Sequence, residues 1–446
     1  MRQIRYFFRL PAAFLARFKT ILFAGGIFGA LLFLLLPQVR PIFLNFDSGQ
    51  TIGMVGRFSS DNLPLSIQEQ ISFGLTTLAE NGTAKPGLAS SWEYQDEGRV
   101  WIFRIGEHKW QDGSRVRAQD INYKFSDVTS EVLDEKTIKF ILKDPFSPFP
   151  TVAAKPVFKR GLLGAGKWKV AKITFVGREF IETMRLVNTN NSNIQTFKFY
   201  PTEESARTAF KLGEVGELRD IVDPRELVKW ADLGIRENIR KDRYLGVFIN
   251  NEDPILSSKE LRQALAYAID KSKFGRERAI SPISPLSWAY NPQVKPYEYN
   301  PTRAKELLLQ LPEDQRKNLV VKLVTTPTLL SIADRIKEDW DAVGVKTQVQ
   351  VSNTPPSDFQ TLIAIQIIPP DPDQYSFWHS TQNTTNITRY RNSQGSKRID
   401  KLLEDGRRTL GQDERKAIYL DFQRFLVEDS PVIFIFHPVE YTITRK

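Results

Sequence analysis

The chain has 446 residues, 41% of them hydrophobic and 11% aromatic, enough for sizeable cores and two domains by length. Its net charge of +10 is concentrated at one end. Arg2, Arg5, Arg9, Arg17, Lys19 and Arg40 supply +6 in the first forty residues with no acid among them, which argues against nucleic-acid binding by the remainder. With no cysteine, the chain has no disulfide, thiolate metal site, cysteine nucleophile or lipid-modified cysteine.

The first element in chain order is apolar. Ile21 to Leu36 reads ILFAGGIFGALLFLLL behind the basic flank. At about 1.5 Å per residue the run is short for a bilayer core of about 30 Å, and Val39 or Ile42 would extend it. No A-x-A site follows, which favours an uncleaved anchor over its rival, a cleaved signal peptide. Positive charge on the N-terminal side predicts export of everything after it. The expected location is the cell membrane, single-pass, with the main domain on the extracytoplasmic side.

From Thr51 to about Arg243 the pattern is mostly that of strands. Trp101, Phe103 and Ile105 alternate with Ile102 and Arg104, the period of a half-buried strand. Ile194 to Tyr200 is similar, and Thr202 to Leu212 predicts a short helix ended by Gly213. A second unit opens near Asn250. Leu261, Ala264, Leu265, Ala268 and Ile269 form a helical stripe. Asn300-Pro301 opens another helix, with Asn as cap and Pro in the first turn. Ile332, Ile336 and Trp340 mark a third, stopped at Gly344, and Val345, Thr347, Val349 and Val351 alternate as a strand. Ser281 to Pro296 is a long Pro/Ser-rich loop.

The last stretch carries the most information. Pro369-Pro370-Asp371-Pro372-Asp373 cannot be a helix interior. It leads into Tyr375, Phe377, Trp378 and His379, read either as a turn on core aromatics or as a cleft wall. Ile399, Leu402 and Leu403, then Ile418, Phe422, Phe425 and Leu426, predict two helices, the second capped by Asp413 and broken by Pro431. Val432 to Phe436 is an apolar run suited to a buried strand. Tyr244 to Asn250 and Val432 to Phe436 are candidate bridges between units.

No catalytic pattern emerges. Gly161 to Lys167 fits G-x-x-x-x-G-K, but Trp168 stands where Ser or Thr should hold magnesium, and a strand pattern follows. The three histidines, His108, His379 and His437, are far apart, and no G-x-S-x-G elbow is present. No His or carboxylate cluster points to a metal, and no cofactor or catalytic residue is assigned.

Several segments in order resemble the bacterial extracellular solute-binding proteins of family 5. They are Pro86-Gly-Leu-Ala-Ser-Ser-Trp92, Lys109-Trp-Gln-Asp-Gly113, Gly164-Ala-Gly-Lys-Trp-Lys-Val170, Arg262-Gln-Ala-Leu-Ala-Tyr-Ala-Ile-Asp270, Tyr299-Asn-Pro301 with its helix, and the stretch from Asp371 to Pro438. The resemblance implies an α/β, two-lobed periplasmic-binding-protein-like fold (class II, cluster C type), here with an N-terminal transmembrane helix. Residues 1–20 would be a basic cytoplasmic flank and 21–44 the anchor or uncleaved signal. Residues 45–248 with 432–446 would form lobe I, and 249–431 lobe II. A monomer would capture an oligopeptide or other small solute and pass it to ABC permease and ATPase subunits. The expected ligand-binding residues are Trp288, Tyr290, Asp371, Asp373, Trp378 and His379. Where peptide receptors of the family often carry an amine-pairing Asp, this chain has Ile368. The alternatives are an anchored peptide sensor or chaperone without transport, and an extracytoplasmic hydrolase.

Overall fold

The computed structural model describes residues 49–391 and 393–445. The predicted anchor at 21–44 lies outside them. Among the described residues no helix is long and apolar enough to cross a membrane.

Three sheets and a short hairpin make up the strand framework of the described residues. In the seven-stranded sheet, Gln50–Val55 runs parallel to both Ile194–Tyr200 and Glu217–Ile221. The strands Phe180–Asn188 and Trp168–Val176 extend one side of it. Val439–Arg445, from the far end of the chain, lies antiparallel between Glu217–Ile221 and Leu233–Ile239. The four-stranded antiparallel sheet holds Ala89–Gln95, Val100–Ile105, Thr137–Leu142 and Val128–Asp134. Its core stacks Trp101, Phe103, Phe140 and Phe149, all nearly fully buried. The five-stranded sheet runs Lys346–Val351, Val320–Thr325, Thr361–Ile367, Arg243–Ile249, Val432–Phe436. Helices Lys259–Ala268, Leu330–Ala342 and Gln412–Asp429 contribute to its core through Leu261, Leu265, Ile336, Trp340, Phe422 and Leu426.

The chain passes from the seven-stranded to the five-stranded sheet at residues 240–242 and returns at 437–438. The expected boundaries at 248/249 and 431/432 therefore move. Arg243–Ile249 and Val432–Phe436 pair with each other inside the five-stranded sheet. Every side chain of Val432–Phe436 is buried there, which is why the run is continuously apolar. It is the following strand, Val439–Arg445, that goes back to the first unit. The two crossing segments are tied together. Arg240 N–H donates to Pro438 O at 2.8 Å. Glu440 accepts from the guanidinium of Arg240, and from that of Arg243 at 3.0 Å.

One local expectation is corrected. Asp413 does not cap the Gln412–Asp429 helix: Gly411 occupies that position. Asp413 and Glu414 sit in the first turn, where a carboxylate meets the positive end of the helix dipole. Asn300 does cap its helix, accepting from Arg303 N–H at 2.8 Å.

Candidate functional site

The Asp371–His379 segment is built on buried charge. Asp371 is 7% exposed and receives Arg415 through two bonds, Nη2 to Oδ1 at 2.7 Å and Nη1 to Oδ2 at 3.2 Å. Arg415 also donates from Nε to Gly406 O at 2.9 Å, and its guanidinium lies over the rings of Trp288 (5.4 Å) and Tyr419 (5.5 Å). Asp371 Oδ1 accepts Asp373 N–H at 2.9 Å, and Asp373 Oδ1 accepts Tyr375 N–H at 3.0 Å. The other Asp373 oxygen takes Arg407 Nε at 2.9 Å and Nη2 at 2.8 Å. Pro372 fixes the backbone between these carboxylates, so successive turns are held by side-chain acceptors.

A stacked column continues from there. Arg407 lies 3.9 Å over the Tyr375 ring, and Tyr375 stacks on His379 at 4.0 Å with planes 15° apart. His379 is buried, with Nδ1 2.8 Å from Thr381 Oγ1 and Nε2 3.3 Å from Glu404 Oε1. Trp378 points into the core, and its indole N–H has no hydrogen-bond partner among the described residues. Arg415 and Arg407 thus draw Trp288, Asp371, Asp373, Tyr375 and His379 into one array. Tyr290 is not part of it. It is half-buried, and burial together with the nearby Glu277 carboxylate raises its pKa. The carboxylates and His379 all have internal partners, so the array forms a braced wall.

This wall meets the first unit at three places. Trp288 N–H donates to Asn81 O at 3.2 Å. Ser147 donates from N to Arg407 O at 2.8 Å and from Oγ to Gly406 O at 3.1 Å. Arg407 also covers the Phe146 ring at 5.3 Å. Beside these contacts lies a cavity of about 710 Å³, walled by residues 124–152 on one side and by Tyr375, Glu404, Arg407 and Arg408 on the other.

A second feature was not read from the sequence. Thr361–Ile367 pairs along its whole length with Arg243–Ile249. On its other edge, pairing with Val320–Thr325 ends at Val324↔Leu362. The neighbouring chain then turns away through 326–329 into the Leu330–Ala342 helix. From Ile363 to Ile367 that edge has no strand partner among the described residues, while Ile365 is 45% and Ile367 61% exposed. The open edge runs towards the crossing segment, because Ile368 N–H donates to Asp242 O at 2.7 Å. Ile368 itself is buried and offers no carboxylate. The Asp242 carboxylate is taken by Arg240 at 2.7 Å and Arg243 at 3.3 Å. The available signal was the exposed alternation within an otherwise apolar TLIAIQI; it resembles an interior strand until the neighbour's early departure is seen.

The Gly161–Lys167 segment is a turn that feeds the strand Trp168–Val176. Its amides are used internally: Gly166 N–H donates to Ile71 O at 2.8 Å, and Gly164 N–H to Gln111 Oε1 at 3.3 Å. A Cβ at Gly164 would lie 2.1 Å from Ile71 O, so these glycines serve close backbone approach rather than a phosphate.

The chain matches the model for bacterial extracellular solute-binding proteins, family 5 Middle, over residues 187–388. It is 22% identical to the oligopeptide-binding protein AppA of Bacillus subtilis, over 85% of this chain and 83% of that one. Its fold is that of NikZ from Campylobacter jejuni, solved with Ni(L-His), with a TM-score of 0.71 and 21% identity over 89% of this chain and 94% of that one. The structure of AppA from Bacillus subtilis with a nonapeptide aligns with a TM-score of 0.67 and 19% identity, over 90% and 95% of the two chains. The fold is thus that of the binding proteins that hold a solute, a mixed α/β architecture. The motifs, the match over residues 187–388 and the relatives agree in making this chain similar to the family 5 extracellular solute-binding proteins.

Proposed function

We propose that this protein captures an extended, peptide-type solute between its two units and delivers it to an ABC importer. It acts on the extracytoplasmic side, held by the anchor expected at residues 21–44. The open edge of Ile363–Ile367 carries this reading. Unpaired main-chain groups on a strand edge suit an extended backbone, which gains affinity from the ladder and leaves selectivity to side-chain pockets. The relatives named as peptide-binding proteins support the same ligand class. With Ile368 buried and Asp242 already paired, recognition of a free ammonium there is not the main source of affinity. Nothing in the array of Asp371, Asp373 and His379 leaves an unpaired nucleophile or base, which favours binding over hydrolysis.

Native mass spectrometry of the full chain, purified from a peptide-rich lysate, tests the reading. A ladder of co-purified peptides released on denaturation is the expected result. A bare protein, or a single defined non-peptide ligand, would overturn it.

A further inference from the structure

We infer that the cavity between residues 124–152 and the Tyr375/Glu404–Arg408 wall is a specificity pocket for an aromatic or apolar side chain carrying a carboxylate beside it. This rests on the proposed peptide-type function and adds the ligand's chemistry. The C-terminal residue of a peptide has that shape.

The volume of about 710 Å³ lies in the range of small-ligand sites. Its apolar lining includes Phe125, Phe146, Phe149 and Tyr375. These rings are held before any ligand arrives. Phe125 meets Phe149 edge-on at 5.7 Å and stacks on Tyr123 at 4.8 Å. Tyr375 is clamped between His379 and Arg407, at 4.0 and 3.9 Å. Rigid rings facing one space suit a flat apolar group.

The charges on the lining are unequal in availability. Arg407 is occupied by Asp373, and Glu404 faces His379. Lys124, Lys143 and Arg408 are exposed and have no ion-pair partner among the described residues, and the same holds for the lining acids Asp127 and Asp144. Three unpaired cations against two unpaired acids leave a small positive excess at the mouth, and it is this excess that would receive a carboxylate. The walls belong to different units and are strapped by Ser147 to Gly406 and Arg407, so a group filling the cavity touches both walls only when they are together. Filling it favours closure.

The test titrates the full chain calorimetrically with Ala-Ala-Phe, Ala-Ala-Ala and Ala-Ala-Phe-amide, and follows 3-phenylpropionate by saturation-transfer NMR. Ala-Ala-Phe should bind about tenfold tighter than Ala-Ala-Ala, as expected for one buried aromatic side chain. It should also bind several-fold tighter than its amide. Reversing the two exposed lysines, Lys124→Glu with Lys143→Glu, should abolish the preference for the free acid and keep that for Phe. Equal affinities across the panel in both proteins would overturn the pocket while leaving peptide binding intact. If no tripeptide binds, the functional proposal fails, and 3-phenylpropionate decides the pocket alone. A signal lost in the double variant supports it; no signal in the parent protein overturns it.

Discussion

Arg415 donates two hydrogen bonds to Asp371 in a setting where each is less than one-tenth exposed. Removing one charge from such a pair strands the other in a poorly solvated place, at a cost of about 3–5 kcal/mol. Asp371→Asn should therefore lower the unfolding free energy by that order, read from urea denaturation, while Asp371→Leu with Arg415→Met should recover most of it. A single variant as stable as the parent would show that the pair is not what holds the loop. Lys271 makes a similar case with backbone partners. Its buried Nζ, whose pKa burial lowers to about 7, donates to Ala266 O, to Ile269 O at 3.2 Å and to Tyr297 O at 2.7 Å. Lys271→Met leaves these carbonyls unmatched, and a loss of about 3 kcal/mol is expected by the same measurement. The sequence showed that the Pro/Asp loop combines acids with aromatics. It did not show whether those acids are free, because Asp371 and Asp373 find their arginines 44 and 34 residues further along. Local pattern has no access to such pairings.

Elements were more legible than partners. The alternation around Trp101 to Ile105 is the strand Val100–Ile105, and the stripe of Ile332, Ile336 and Trp340 is the helix Leu330–Ala342. Period and burial are linked within each element, so a single sequence exposes them. The boundary between units was harder: Val432–Phe436 and Val439–Arg445 are adjacent, both rich in β-branched and aromatic residues, and only pairing separates them. The open edge of Thr361–Ile367 is also a property of a pair. Its use can be tested at Ile367, whose side chain is 61% exposed. Ile367→Glu should leave stability within about 0.5 kcal/mol. It should weaken peptide binding roughly tenfold by calorimetry, through lost apolar contact; unchanged affinity would take the edge out of the site. At the crossing segment, His437 places Nδ1 2.8 Å from Arg243 O, and burial lowers its pKa from 6.5. Glu277 and Asp242 favour its charged form and Lys241 opposes it, but burial dominates. As pH falls through 6.5, the unfolded chain takes up a proton that the folded chain resists, so stability drops. His437→Asn should lose less stability than the parent between pH 7.5 and 5.5 in urea unfolding; equal losses would clear His437 of this role.

At the scale of the molecule, two short crossings join the units, and under the proposed function closure depends on what meets across the gap. A few residues at the ends of elements can absorb such a rotation. The turn from Ala79 to Thr83 is one contact point of the first unit. Its Asn81 carbonyl accepts Trp288 N–H at 3.2 Å, and Gly82, at φ +84°, sits against Pro370. A Cβ on Gly82 would lie 2.2 Å from Pro370 O, and that oxygen belongs to a proline-rigid segment anchored by Asp371. Gly82→Ala therefore acts in two ways. The left-handed backbone costs about 1–2 kcal/mol in every state of the protein. The clash exists only when the units are together, so it is a penalty on the closed form alone. Because ligand affinity includes the cost of closing, binding should weaken by more than tenfold. The thermal midpoint of the ligand-free protein should fall only a few degrees, as for a cost of that size in a large domain. Small-angle scattering at saturating ligand should give a larger radius of gyration for the variant than for the parent. Equal radii with equal affinities would mean that the turn and Pro370 separate in the bound state, and that closure is set by the Ser147–Arg407 strap instead.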